Sequence, residues 1–307
     1  LTINRTLTGV NDALFVPFDQ ERYSIIYSDG VIENIGSEQF EISGDSTVIV
    51  FNGLSRINEI GITVNVTAIK PSIKSKSKIL VKSEQFVVDK ISKVTAPEFA
   101  MSQNDYYGLR VDDEEISLNT ADVENIVAVF ESLDADVPTL DTLGFTNGLS
   151  LETRTVKGEL IRGSTTGAVA KLVSATSPSS TTIVYLSQNK FTVGETLVFS
   201  ESNIKTNLQA IFPGNYKDIT DKFSLDKGQR EQFYDFSRII RNRGASAPNK
   251  RLLVVFDKFM VPSDDSGDFY TANSYVKEIF NTGVPLLRDR TLRASDTLDF
   301  RPRVADF

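Results

Sequence analysis

The chain has no cysteine, no histidine and no tryptophan, and only two methionines. Without cysteine there is no disulfide and no thiolate nucleophile. Without histidine the Ser-His-Asp and Cys-His arrangements go, together with the usual zinc, copper and haem ligand sets. What remains for chemistry is carboxylate, lysine or tyrosine side chains and oxygen-ligated hard cations. The same lack leaves the redox compartment unreadable. No apolar run approaches the roughly 20 residues of a membrane helix, and no signal peptide is visible, so no membrane partner is expected. The first residue, Leu1, reads as the start of a fragment. A net charge of −8 and a pI near 4.9 fit a soluble protein and argue against a nucleic-acid coat.

What is there is β-branched and punctuated by turns. At 307 residues the chain has room for two or three modules. From Leu14 to Val88 short apolar runs alternate with turn residues at the spacing of a β-sandwich. Arg22–Tyr27 and Val31–Ile35 flank Ser28-Asp29-Gly30, a strong hairpin signal, and Glu38–Ile42 with Thr47–Phe51 make a second hairpin. Gly61–Lys70 alternates as one half-buried strand, and Ile79–Val81 with Phe86–Val88 look like a closing pair. Lys74, Lys76 and Lys78 alternate with serine, as on a solvated edge strand blunted by lysine.

Thr95–Asp105 is the first module boundary by composition. Asp112–Glu115 is a run of four carboxylates that reads as a turn or solvated surface. Asp122–Ser132 reads as a strand, and Asp134–Ser150 as a long connection. Strand-like runs at 156–161, 168–173, 181–186, 195–199 and 207–212, separated by tight turns, suggest a small SH3-like or OB-like barrel. The turn Gly163–Gly167 lacks the lysine and helix of a phosphate loop. Ser263–Asp268 has three carboxylates and a glycine but not the spacing of an EF-hand.

The segment Phe223–Met260 has a different texture. The rings of Phe223, Phe233, Tyr234, Phe236 and Phe256 sit among seven Lys or Arg between Lys227 and Arg251. Its two apolar stretches, Gln232–Arg241 and Arg251–Phe259, are joined by a Gly-Ala-Ser-Pro-Asn connector suited to a long hairpin loop. Residues 222–258 carry nine Lys or Arg against four Asp or Glu, a net +5 that leaves −13 on the rest. Such asymmetry favours docking on an acidic protein surface, while the basic residues are too dilute for DNA. Phe233, Tyr234, Phe236, Arg238 and Arg241 are the candidate interface anchors, because buried aromatics and arginine dominate interface energetics. The same aromatics would equally suit the core of a third module.

The stretches YDFSRIIRNRGASAPNKRLLVVFDKF, DFYTANSY and LDFRPRV resemble a virion structural protein family of contractile-tailed cyanophages. The likeness covers the last third best and extends more loosely through YYGLRVDDEEISLNTADVENIVAVFES, IRGSTTGAVAKLV and FTVGETLVF. It implies a place in the tail, baseplate or fibre-attachment region and no enzymatic activity. The expectation is therefore a mainly β chain of serial modules. An immunoglobulin-like sandwich spans 1–100, a small barrel spans 101–215, and an aromatic and Arg-rich arm or third β-rich module spans 216–307. It assembles with itself and with other virion proteins, and needs no cofactor, metal or catalytic residue. The alternative is a glycan-binding or polysaccharide-degrading host-recognition protein, against which the lack of tryptophan for sugar stacking counts.

Overall fold

The structure, a computed structural model, describes residues 1–8, 12–56, 60–89, 110–275 and 298–303. The expected boundary at Thr95–Asp105 lies outside the described residues. The protein is mainly β, a series of antiparallel sheets that includes one curled half-barrel. It divides into two units, Leu1–Lys74 and Ser75–Phe307.

Among its described residues the first unit has eight short strands: β1 (Thr2–Asn4), β2 (Leu14–Phe15), β3 (Ser24–Ile26), β4 (Ile32–Asn34), β5 (Phe40–Ile42), β6 (Val48–Phe51), β7 (Thr63–Asn65) and β8 (Ala68–Ile69). Both expected hairpins form, β3 with β4 and β5 with β6. Gly30 takes φ +85° in the first turn, a conformation that glycine adopts without strain. The expected single strand over Gly61–Lys70 is instead two. β7 pairs with β3 and β8 with β2, so the chain changes sheet at Val66–Thr67. Tyr23, Ile25, Ile35, Ile49 and Phe51 centre the core, each contributing about 1.5–3 kcal/mol by burial. The Tyr23 hydroxyl satisfies itself on the Val16 carbonyl at 2.5 Å.

The second unit continues with β9 (Ile79–Val88), β10 (Glu115–Ala121), β11 (Val123–Ser132) and β12 (Asp141–Gly144). After the short helix α1 (Leu151–Arg154) come β13 (Leu160–Gly163), β14 (Val169–Ser177), β15 (Ser180–Tyr185), β16 (Thr196–Phe199), β17 (Lys205–Asn207) and β18 (Ala210–Phe212). The last four are β19 (Tyr216–Asp218), β20 (Phe223–Asp226), β21 (Phe236–Arg241) and β22 (Leu252–Met260).

The apolar run LLVVF makes β22 the centre of this unit. Leu252, Val254 and Phe256 point into one core, shared with Ile116, Leu118 and Ile239 of the β10–β21–β20 sheet. Leu253 and Val255 point into another, shared with Val173 and Val184 of the half-barrel. Period-two alternation with both faces apolar is what a strand buried on both sides requires. The central sheet, in the order β19–β11–β22–β9, is thus covered on both faces.

Two expectations fail here for one reason, non-local pairing. The segments Ile79–Val81 and Phe86–Val88 do not close the first unit but form a single ten-residue strand on β22. Likewise β21 and β22 are not a hairpin, for they belong to different sheets and Asn242–Arg251 crosses between layers. Because β9 pairs with β22, the contacts divide the chain after Lys74 rather than near residue 100, and they do not separate residues 101–215 from 216–307.

The half-barrel has strands in the first four expected runs, the first of them starting at Leu160 rather than Val156, splits the fifth run, 207–212, between β17 and β18, and adds β12 in a stretch that reads as a plain connection. Its seven-stranded sheet ends in β17 on one side and β18 on the other. Only Leu208 and Gln209 separate these two strands, so one short stretch pairs with β16 at its start and with β12 at its end. The sheet must curl to meet it, around Leu143, Ile161, Leu172, Leu197, Phe199 and Leu208.

Candidate functional site

The five candidate anchors lie on or just before β21. Phe233 is 37 % exposed, whereas Tyr234 is fully buried and Arg238 is 9 % exposed. Phe236 is half-buried where β21 meets Ala121. Arg238 reaches Asp235 Oδ2 at 2.5 Å and Glu115 Oε2 at 3.3 Å. Arg241 donates to the carbonyls of Asp112 (2.9 Å) and Asp113 (3.4 Å). The acidic run 112–115 therefore supplies within the chain part of the acidic surface that the basic segment calls for. Glu115 opens β10, and Asp113 is buried rather than solvated.

Behind Tyr234 lies a cluster that the sequence did not announce. Lys78, read as part of a solvated stripe, has a fully buried side chain. Its Nζ donates to Asp122 Oδ2 at 2.6 Å, to the Tyr275 hydroxyl at 3.0 Å and to the Tyr234 hydroxyl at 3.4 Å. Four rings surround it, with centroids at 4.4 Å (Tyr270), 4.6 Å (Tyr234 and Tyr275) and 5.7 Å (Phe259), a cation–π arrangement. The lysine is drawn in because Lys78 N bonds the Ser274 carbonyl at 2.7 Å, just before β9 begins. Asp122 is the one-residue corner between β10 and β11. It has φ +65°, which aspartate tolerates better than most residues.

The segment Leu298–Arg303 straps this cluster. Tyr270 N and Asp299 N exchange hydrogen bonds with each other's carbonyls, at 2.8 and 2.9 Å, and Tyr234 N donates to the Pro302 carbonyl at 2.8 Å. Tyr234 donates its hydroxyl to Asp299 Oδ2 at 2.5 Å. Arg301 holds both oxygens of Asp299, at 2.9 and 2.7 Å, and stands 4.5 Å over the Tyr234 ring. Arg303, also buried, donates to the carbonyls of Phe259 and Ala121.

Burial pushes the Lys78 ammonium below its ordinary range; Asp122 opposes this and the Arg303 charge adds to it. Burial likewise raises Tyr234 and Tyr275, helped by the Asp122 carboxylate. For Asp299 burial acts upward, but the Arg301 guanidinium and the Tyr234 hydroxyl outweigh it and hold the carboxyl below its usual range.

Other buried carboxylates hold backbone. Glu159 accepts from the amides of Val156, Glu201 and Ser202, and Glu195 from those of Thr192, Thr165 and Thr166. The Gly163–Gly167 turn is thus a clamped β-turn. Asp257 pairs with Lys171 and accepts from Ser83 N at 2.8 Å. In the Ser263–Asp268 loop, Asp265 takes the amides of Ser77 (2.6 Å) and Gly267 (2.8 Å). Among the described residues no three Asp or Glu side chains converge as a cation site. A shallow cleft of about 290 Å³ is lined by Gln85, Glu152, Thr155, Lys157 and Ser174 among others, and Lys157 is already paired with Glu84 at 2.6 Å.

Sequence reasoning singled out Tyr234 as an interface anchor, whereas the structure buries it, and it missed Lys78, Asp122, Tyr270 and Tyr275. The available signal was a lone aspartate between two strand-like runs, NTA and VEN, where a sharp corner has to form. Compared with known proteins, the chain matches no family model, no curated protein and no solved structure.

Proposed function

We propose that the chain is a structural component of a phage virion, in the tail, baseplate or fibre-attachment region, acting through protein–protein interfaces and without enzymatic activity. One observation carries this reading. The three stretches on which the cyanophage resemblance rests, separated in sequence by residues 260–267 and 276–297, meet in one cluster: Tyr234 from the first, Phe269 and Tyr270 from the second, and Asp299 to Arg303 from the third. A resemblance produced by chance composition has no reason to converge in space. The buried carboxylates fit the same role, since each holds backbone amides or a counter-ion in place, as a load-carrying fold needs.

In this reading the chain assembles with copies of itself and with other virion proteins. The exposed rings Phe233 and Phe300, with Leu298, are the apolar surface offered beside the strap. An antibody raised against the chain is expected to label purified tailed particles at the tail in the electron microscope. Absence of the chain from such particles, or hydrolysis of host polysaccharide by the purified protein, would overturn the proposal.

A further inference from the structure

We propose that Lys78 and Asp122 condense within the folded chain to an isopeptide bond, an amide between Nζ and Cγ, releasing one water.

The geometry brings amine and carboxyl together with nothing between them. Nζ lies 2.6 Å from Asp122 Oδ2, and the two side chains are 0 % and 3 % exposed. In the ion pair the ammonium has three N–H groups and three acceptors: Asp122, Tyr275 and Tyr234. When the proton shared with Asp122 crosses to the carboxylate, two N–H groups stay on the tyrosine hydroxyls. The freed lone pair then faces the carboxyl group. Holding reactants at contact distance in a single orientation removes much of the entropic barrier to such a step.

The surroundings favour the neutral pair. Rings of Tyr234, Phe259, Tyr270 and Tyr275 exclude water from Nζ. Charges taken into such a site are costly, and the cost falls away when both become one amide. The Arg303 guanidinium adds a like charge that disfavours the ammonium. Asp299 is held in its own bidentate pair with Arg301, and its charge, which favours the ammonium, opposes that of Arg303. The left-handed backbone at Asp122 is a strained position held by its neighbours, with its carbonyl fixed by Phe259 N at 2.9 Å.

The atoms balance without any further reagent. One proton passes from the Lys78 ammonium to Asp122. The amine lone pair forms the N–Cγ bond, and the bond from Cγ to the protonated oxygen breaks. That oxygen leaves as water, carrying the transferred proton and one more from the amine. No electron is gained or lost, and the site's net charge is unchanged.

The other buried pair, Lys171–Asp257, is a comparison inside the same molecule. Its lysine side chain is 10 % exposed, and no ring stands over it among the described residues. It is expected to remain an ion pair.

The experiment is the intact mass of the full chain, unfolded in guanidinium, followed by tryptic mapping. The expected result is a mass lower than the sequence mass by one water, with trypsin failing to cut after Lys78 and a branched peptide joining Lys78 to Asp122. Lys78→Arg, which keeps the charge in the cage, and Asp122→Ala are both expected at their full sequence masses. A wild-type chain at its full sequence mass would overturn the proposal, and this outcome does not depend on whether either variant folds. A lost water that maps elsewhere, to Lys171–Asp257 for instance, or that persists in Lys78→Arg, would overturn it equally.

Discussion

Replacing Asp257 with alanine leaves the Lys171 ammonium between two sheets with no counter-ion. Asp257 lies on the central strand β22 and Lys171 on β14 of the half-barrel, with side chains only 7 % and 10 % exposed. Breaking a buried pair from one side costs about 3–5 kcal/mol, because the remaining charge is stranded. The substitution also takes the acceptor from Ser83 N, itself fully buried, and a buried donor left open costs about 1–3 kcal/mol. Allowing for relaxation and water entry, the expected loss is about 4 kcal/mol, equivalent to a fall in Tm of about 10 °C for a unit of this size. The double variant Lys171→Met with Asp257→Leu removes both charges and leaves only the Ser83 amide unmet, so about 1–2 kcal/mol should remain lost. The chain has no tryptophan, so guanidinium unfolding is best followed by far-UV circular dichroism, with an unchanged m-value as the check that the same surface unfolds. A single variant losing less than about 1 kcal/mol, or a double variant as unstable as the single one, would show that the pair does not work as argued.

Gly228 has φ +73°, and a Cβ there would stand 2.3 Å from the Asp235 carbonyl oxygen. Gly228→Ala is therefore expected to cost more than about 2 kcal/mol, whereas Gly44→Ala, with open space around it, should stay within about 0.5 kcal/mol in the same thermal melts. For Glu195, burial acts to raise the carboxyl, but amide donors from Thr192, Thr166 and Thr165 outweigh it and hold it below its ordinary value of 4.5. A depressed carboxylate contributes stability above that value and loses it as pH falls through the lower, folded one. Melting temperature should thus decline from pH 4.5 downward, and Glu195→Gln should be less stable at pH 7 yet show a shallower decline. An equal slope in both proteins would count against the clamp.

What the sequence made legible was local. The β3–β4 hairpin declares itself through Asp29-Gly30, and the half-barrel strands through tight turns between alternating runs, because neighbouring strands and their turn chemistry are written in consecutive residues. Pairing between distant strands has no such signature. Nothing in ILVKSEQFVV names LLVVFDKFM as its partner, and the connector after Arg241 suits a hairpin turn as well as a crossing between sheets. β12 escaped notice because four residues ending in glycine, DTLG, carry too little periodicity. Lys78 was misread for a related reason. Alternation of lysine with serine describes a face, but the rings and carboxylate that enclose this lysine arrive from Asp122, Tyr234, Phe259, Tyr270 and Tyr275. The aromatic composition around Tyr234 was visible from sequence, while its commitment to the interior depended on that same long-range assembly.

The pairing of β9 with β22 also sets a timetable. A ribosome that has just made Val88 must add everything up to Leu252 before the partner strand exists, a wait on the order of ten seconds at ordinary rates of synthesis. In that interval the half-barrel, whose strands pair mostly with near neighbours, can close by itself. The ten residues of β9 meanwhile have no permanent place. Completion of the second unit therefore falls to LLVVFDKFM, which on emerging must slot between β11 and β9 and seal two cores at once.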